Sequence, residues 1–156
     1  MPQTDQTIDE TDARILRALQ RDAGLSADAL SDAVGLSRNA AWRRMKRMED
    51  AGIIRKRVVL LDPQTVGRGL SVFAAIRTDR HDAQWAKTFS DVTRAMPEII
   101  GVWRTSGELD YLLHIRVADV GGYDRLYRRL IEKIELKDVT ASFVMEEIKE
   151  TTELPV

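Results

Sequence analysis

The chain has 156 residues, enough for one ordinary domain or two small ones, and its formal net charge is −1. Without a net positive charge it has no global attraction to nucleic acid, so any nucleic-acid-binding surface must be local. It contains no cysteine, which excludes disulfide bonds, thiolate metal sites and a cysteine nucleophile. Neither a signal peptide nor a membrane-length apolar run occurs, and we therefore expect a cytoplasmic protein without a membrane partner.

Residues 9–35 predict two short helices. The first begins after Asp9, whose carboxylate can cap exposed backbone N–H groups at the helix start. The second begins after Ser26 in the same way and ends at Gly35. The inward-facing apolar residues of the two helices are Ile15, Leu16, Leu19, Leu30 and Val34.

A third helix follows almost at once, and it is apolar on one side and basic on the other. Ser37 can cap its start, and Gly52 can end it because glycine adopts the left-handed conformation of a helix stop. Its buried stripe consists of Ala41, Met45 and Met48. The second and third helices, with the tight turn between them, predict a helix-turn-helix whose last helix can read a DNA major groove.

The remaining faces of the third helix, and the basic segment after it, supply the predicted DNA contacts. Arginine suits guanine and asparagine suits adenine, so base-edge contacts are expected from Arg38, Asn39 and Arg43. Phosphate contacts, which fix register without reading sequence, are expected from Arg47, Arg55, Lys56 and Arg57. The predicted surface also includes Ser37, Trp42 and Lys46. The alternative interpretation is a solvated helix face, and for Trp42 burial against the first helix remains equally open.

Residues 53–61 are rich in β-branched and apolar side chains and predict a wing strand, which Asp62 and Pro63 terminate. We therefore expect a winged helix-turn-helix DNA-binding domain with a linker strand over residues 1–63. A second domain is expected over residues 64–156.

The second domain predicts the element order βαββαβ. Residues 70–77 alternate in polarity and indicate a half-buried strand, and further strands are expected at 99–106, 111–117 and 139–148. Two amphipathic helices lie between them, one with Trp85 and Phe89 on its buried stripe and one running from Tyr123 to Ile134. This order folds as a ferredoxin-like sandwich, so the chain as a whole is α+β. An uncovered apolar sheet face would imply a partner subunit, and its expected residues are Phe73, Trp103, Leu112 and Val144.

Several short motifs lie along the chain in a fixed order. The first half contains Ile8-Asp9-x-x-Asp12-x-x-Ile15-Leu16, Val34-Gly35-Leu36-Ser37, Arg43-Arg44-Met45-x-Arg47-Met48-Glu49-x-x-Gly52-Ile53-Ile54 and Leu61-Asp62-Pro63-x-x-x-Gly67. The second half contains Pro97-Glu98, Ser106-Gly107-Glu108-Leu109-Asp110-Tyr111-Leu112-Leu113 and Val144-Met145-Glu146-Glu147-Ile148-Lys149. In this order and spacing the motifs resemble the Lrp/AsnC family of bacterial and archaeal transcription regulators, which respond to amino acids.

The resemblance implies that double-stranded DNA and a small amino-acid effector are the partners of this chain. It also implies homodimers that pair their sheets face to face and assemble into octamers, with the amino acid bound between dimers. The second domain would then be the amino-acid-responsive (RAM-type) domain. The family's effector-response positions fall on Arg104, Asp110, Val120, Ser142, Phe143 and Val144, with Gly107 and Thr140 beside them.

The identity of the effector is suggested by two runs of the sequence, Trp103-Arg104 and Ser142-Phe143-Val144-Met145-Glu146. They look like a branch of the family that is associated with sulfur amino acids, including cysteine. Asp110 can pair with the α-amino group of such a ligand, and backbone N–H groups near Gly107 can hold its carboxylate. The alternative is a plain hairpin turn, in which glycine supplies a positive φ and aspartate bonds its own backbone.

Two other classes of function remain as alternatives. The βαββαβ order is also that of RNA-recognition modules, but their Lys/Arg-Gly-Phe/Tyr type of motif does not occur on the expected central strands. A small-molecule enzyme would need a nucleophile, a tuned acid/base pair or a metal, and the sequence assembles none of these. The two histidines, His81 and His114, have no second ligand at a useful spacing, so we expect neither a metal nor a cofactor.

Overall fold

The structure, a computed structural model, describes residues 7–156. These residues form two compact units: one contains the described chain up to Leu60 together with Lys149–Val156, and the other contains Leu61–Ile148. The chain therefore passes from one unit to the other twice. None of the helices in the described part of the chain is long and apolar enough to span a membrane.

The first unit contains three helices, α1 (Glu10–Arg21), α2 (Ala27–Val34) and α3 (Arg38–Asp50). The expected caps are confirmed, because Asp9, Ser26 and Ser37 each accept a hydrogen bond from a backbone N–H in the first turn. Gly35 has φ 66° and permits the three-residue turn between α2 and α3. The buried core of this unit consists of Ile15, Leu16, Leu30, Val34, Ala41 and Met48.

The predicted wing strand is not formed. Residues 53–61 have no strand structure, and Val58 to Leu61 are exposed. The physical reason is that a strand needs a neighbour for its backbone N–H and C=O groups, and the described part of the first unit contains no other strand. Residues 53–61 therefore have the β-branched composition of a strand but lack the backbone pairing that forms one.

The second unit has the predicted βαββαβ order: β1 (Leu70–Arg77), α4 (Ala83–Arg94), β2 (Ile99–Arg104), β3 (Tyr111–Val117), α5 (Val120–Ile131) and β4 (Asp138–Phe143). The four strands form one sheet in the order β2-β3-β1-β4, and every pair of neighbours is antiparallel. The α+β fold class is confirmed, with both helices contributing side chains to a core on one face of the sheet.

The two faces of the sheet differ in burial. On the helix-covered face Val72, Ala74 and Ile76 are at most 1% exposed. On the other face Phe73 stacks on His114 with 4.6 Å between ring centroids, and Trp103 remains 50% exposed. The register places Phe73, Trp103 and Leu112 on this open face, as the sequence predicted.

The last strand is shorter than predicted, ending at Phe143 instead of residue 148. β4 is an edge strand that pairs only with β1, and Phe143 already lies opposite Val72, two residues from the start of β1. The backbone N–H of Val144 donates to Ser71, and little of β1 remains beyond that bond. The chain therefore leaves the sheet and runs without regular structure toward the first unit's segment, Lys149–Val156.

Candidate nucleic-acid interface and effector region

The predicted DNA contacts on α3 lie on exposed surface. Asn39, Arg43 and Lys46 follow one another at spacings of four and three residues, which places them on one face of the helix. The Arg43 Nε donates to the Asn39 carbonyl at 3.4 Å, so its guanidinium lies along that face. Ser37 and Arg38 are also exposed and begin the helix. Side chains at the exposed N-terminal half of such a helix are the ones that reach base edges in a major groove.

Several of the basic side chains pair with nearby carboxylates. Lys46 lies 2.8 Å from Asp50, and this hydrogen bond raises the pKa of Lys46. The Arg38 Nε lies 3.5 Å from an Asp28 oxygen. Exposed ion pairs of this kind contribute little to stability, so these cations can exchange their carboxylates for phosphates at small cost.

Arg47 does more than the sequence predicted. Its guanidinium donates to Asp12 of α1, and Arg44 donates to the same carboxylate at 2.9 Å and to Asp9 at 2.6 Å. Asp12 is 1% exposed, whereas the Arg47 side chain is 53% exposed. The hydrogen bond from Arg44 holds the pKa of Asp9 below its ordinary value. This network ties the recognition helix to α1 and leaves one side of Arg47 open to a phosphate.

Sequence reasoning assigned Asp12 no role beyond the family motif. A signal for one was nevertheless present, because Asp12 lies three residues before Ile15 and four before Leu16, on the apolar stripe of α1. A carboxylate on a buried stripe needs a charged or hydrogen-bonding partner. The basic residues of the third helix were the nearest candidates.

Trp42 is not buried against α1. Its side chain is 52% exposed, and it borders a cavity of about 220 Å³ whose other walls include Leu25, Leu30 and Met45. On its other side a shallow groove runs past Arg43 and Lys46. The burial alternative is therefore wrong, and the ring stands at the edge of the predicted DNA surface.

The basic segment after α3 is exposed and irregular. Arg57 donates to Glu49 at 3.0 Å, which folds it back against α3. Arg55 and Lys56 are exposed beside it. The three cations accordingly follow the recognition helix directly, without the strand that was expected to carry them.

The predicted effector residues fall into two groups at opposite ends of the sheet. Arg104, Gly107 and Asp110 lie in or next to the β2–β3 hairpin, and Thr140 lies near that end of β4. Val120 begins α5 at the other end, where β4 ends at Phe143; Ser142 directly precedes Phe143 and Val144 directly follows it. In the strand register Arg104 is level with Ile76, and Phe143 is level with Val72, four residues earlier on β1. About 13 Å along the strands therefore separates Arg104 from Phe143.

Asp110 already has a structural partner. Its Oδ2 accepts the Thr78 N–H at 2.9 Å, and its own N–H donates to Ile76 at 3.0 Å. Its Oδ1 lies 3.9 Å from the Nδ1 of His81, and the side chain is 29% exposed. One oxygen thus holds the end of β1, while the other faces solvent and the imidazole.

Gly107 occupies the tip of the hairpin with φ 116°, a conformation that favours glycine. Thr105 closes the hairpin below it by donating from its hydroxyl to Leu109 at 2.7 Å. The turn interpretation of Gly107 therefore holds within one chain. It does not prevent the exposed hairpin from also contacting a ligand.

Phe143 lies on the helix-covered side of the sheet, whereas Thr140 and Ser142 point to the open side. Its ring meets Tyr123 of α5 edge-on at 5.3 Å between centroids. Within the described residues, no group of three or more His, Asp or Glu side chains is arranged to hold a metal ion.

A helix-turn-helix with an exposed basic third helix, joined to a βαββαβ sheet domain, defines a DNA-binding transcription regulator of two domains. Comparisons with known proteins agree with this class. Residues 8–55 match the family model described as winged helix-turn-helix DNA-binding, and residues 71–154 match the Lrp/AsnC ligand binding domain. The chain belongs to the Lrp/AsnC family.

The curated relatives are transcription regulators, not enzymes. The DNA-binding transcriptional activator DecR of Escherichia coli is 46% identical over 96% of this chain and 99% of its own length. The glutamate uptake regulatory protein of Zymomonas mobilis is 44% identical over 96% of this chain and 91% of its own.

Solved structures show the same two-domain fold. An AsnC family transcriptional regulator from Agrobacterium tumefaciens is 48% identical, with a TM-score of 0.91 over 94% of this chain and 96% of that one. A transcriptional regulator from Neisseria meningitidis in complex with L-Met is 36% identical, also with a TM-score of 0.91, over 96% of this chain and 97% of that one.

Proposed function

We propose that this regulator reads a specific DNA duplex through the exposed face of α3 and that a small amino acid modulates its assembly or its affinity for DNA. The observation that carries the DNA contact is the row Asn39, Arg43 and Lys46 on a capped and exposed helix. Arg47, Arg55, Lys56 and Arg57 would add phosphate contacts around that row. We also infer a cytoplasmic location, where the protein meets DNA.

The effector we propose is an amino acid of the sulfur-containing type. Support comes from the resemblance carried by Trp103-Arg104 and the end of β4, and from the L-Met bound by the Neisseria relative. The free side of the Asp110 carboxylate is a suitable partner for an α-amino group. The exposed backbone of the hairpin around Gly107 supplies N–H groups for an α-carboxylate.

The proposed effector site is shared between chains. Arg104 at one end of the sheet and Phe143 at the other lie about 13 Å apart along the strands of one chain, which is too far for one small amino acid to contact both. A second chain that brings its own β4 end to the hairpin of the first would complete the site. Dimers that pair the open sheet faces, and octamers built from them, supply such neighbours.

Coupling between effector and DNA would then be geometric. Two recognition helices of a dimer must match the repeat of the duplex, roughly 34 Å. A ligand held between chains changes how dimers are placed against one another, and with them the spacing of recognition helices. The ligand can shift the balance only by its difference in affinity for the two arrangements.

A thermal-shift panel with each natural amino acid at millimolar concentration tests the effector proposal. A ligand at about one hundred times its dissociation constant adds about 2.7 kcal/mol to folded stability, which moves the transition clearly. We expect one selective response, largest for a sulfur-containing amino acid. The same response should disappear in Asp110→Asn, which keeps an oxygen for the Thr78 N–H and removes the charge. A flat panel, or an unchanged response in Asp110→Asn, would contradict the assignment.

A further inference from the structure

The C-terminal segment Lys149–Val156, which we name the strap, is held on α1 by hydrogen bonds. The side-chain amide of Gln20 makes two of them with Leu154: its Nε2 donates to the carbonyl at 3.0 Å, and its Oε1 accepts the N–H at 2.6 Å. Arg17 donates to the main-chain oxygen of Val156 at 2.8 Å. The Arg21 Nε lies 3.8 Å from a carboxylate oxygen of Glu153.

These contacts form one attachment site on α1. Arg17, Gln20 and Arg21 are three and four residues apart, so they share one face of the helix. The strap itself is largely exposed, and Leu154 is 71% exposed. Hydrogen bonds and charge therefore hold it there, since burial of apolar area contributes little. The paired amide of Gln20 satisfies both backbone groups of one residue and sets the register of the strap.

The other end of α1 holds the recognition helix. The buried Asp12 accepts hydrogen bonds from Arg44 and Arg47 of α3, and Asp9 accepts another from Arg44. Eight residues, or about 12 Å of helix, separate Asp12 from Gln20. A rigid helix thus connects the strap at one end to the recognition helix at the other.

We propose that Gln20 is a positioning residue, through which the strap fixes α1 and thereby the orientation of α3 on DNA. The strap also continues the chain that leaves β4 after Phe143, with only five residues between Phe143 and Lys149. The DNA-binding unit is therefore attached to the sheet unit by two segments. A change at the end of β4 then reaches α3 through the strap, Gln20, α1 and Asp12. This link to the end of β4 rests on the proposed effector site.

Hydrogen exchange on the full-length protein tests the positioning role without DNA or amino acid. We compare the wild-type chain with Gln20→Ala, which removes both strap bonds, and with Gln20→Glu, which keeps only the acceptor. Arg14→Ala is the matched control, because Arg14 is on α1 and, among residues 7–156, its side chain bonds only to Thr11 of the same helix. We expect faster exchange in α1 and α3 for Gln20→Ala, a smaller change for Gln20→Glu and none for Arg14→Ala.

The second measurement is affinity for a duplex that the wild-type protein has selected from a random pool, at fixed salt. We expect Gln20→Ala to weaken this affinity roughly two- to thirtyfold. Asp12 and Gln20 are far enough apart that substitutions at them should have additive effects on affinity if the two sites are independent. Because the proposal couples them through α1, the effects of Gln20→Ala and Asp12→Asn should be non-additive in the double variant. Additive effects overturn the proposal, as does faster exchange confined to the strap or spread evenly over all three helices. Failure of the wild type to select a duplex would instead contradict the proposed function.

Discussion

The two units of this chain differ in how complete their functional surfaces are within one molecule. In the helical unit, the residues predicted to contact DNA lie together on and just after α3, and their orientation is set by local contacts such as Asp12 with Arg44 and Arg47. In the sheet unit, the predicted effector residues lie at both ends of one sheet. A surface built from one helix can be complete in a monomer, whereas the effector site we propose needs residues from a second chain.

The largest expected effect concerns the separation of the two cores. Met48 is fully buried in the helical core, and Met48→Ala should lower the free energy of unfolding of that unit by about 2–5 kcal/mol. Leu113→Ala, in the other core, should do the same to the sheet unit. Urea unfolding followed by tryptophan fluorescence can separate the two units in variants that keep either Trp42, in the helical unit, or Trp85 and Trp103, in the sheet unit. Equal destabilisation of both units by Met48→Ala would contradict independent cores.

The next effect concerns the DNA surface alone. Arg43→Ala removes a side chain proposed to contact base edges and should cost about 1–3 kcal/mol of specific binding, or about 5- to 150-fold in affinity. Affinity for a selected duplex at fixed salt measures it. Arg14→Ala, which removes an arginine from α1, is the control and should bind as the wild type does. A normal affinity of Arg43→Ala would remove that residue from the interface.

A smaller effect distinguishes phosphate contacts from base contacts. Lys56→Ala should weaken binding to every duplex about equally and reduce the slope of log affinity against log salt by about 0.9. Titrations at several salt concentrations, with the selected duplex and a scrambled one, provide the comparison. Loss of discrimination between the two duplexes, with the slope unchanged, would assign Lys56 to base reading instead.

The smallest effect is a pH dependence of the helical unit. Arg44 lowers the pKa of Asp9, so the stabilisation by this pair is present above the ordinary Asp pKa, about 3.8, and is lost as pH falls through the lower folded value. Below about pH 4 we therefore expect the helical unit to lose stability. Asp9→Asn should reduce that dependence. Thermal melts of both proteins between pH 3 and 6, roughly the window concerned, decide the point. An identical dependence in the variant would assign it elsewhere.

Local features made the helices and the order of strands predictable. Helix starts are indicated by the capping residues Asp9, Ser26 and Ser37, and the alternation of polarity over residues 70–77 indicates β1. The pairing partners of strands are not local, and the incorrect predictions at residues 53–61 and at the end of β4 arose there. Residues 53–61 have strand composition without a neighbouring strand, and β4 ends early because β1 begins only two residues before the position opposite Phe143.

The functional residues divide in the same way. Asn39 and Arg43 could be located from one helix, because helical spacing alone puts them on a common face. The bonds between Gln20 and Leu154 join residues 134 positions apart, and no periodicity reports such a contact. The effector residues could be assigned only by resemblance, since the common site we propose for them depends on a second chain.

A mixing experiment tests whether the proposed effector site is shared between chains. Asp110→Asn alters the hairpin end and Phe143→Ala alters the β4 end, so each variant alone should lose the amino-acid response found in the thermal-shift panel. When the two are co-expressed and assemble together, some sites combine an intact hairpin from one chain with an intact β4 end from another. Calorimetric titration of the mixed assembly with the responding amino acid should therefore recover binding at a fraction of the sites. Absence of any recovery would contradict an effector site that is shared between chains.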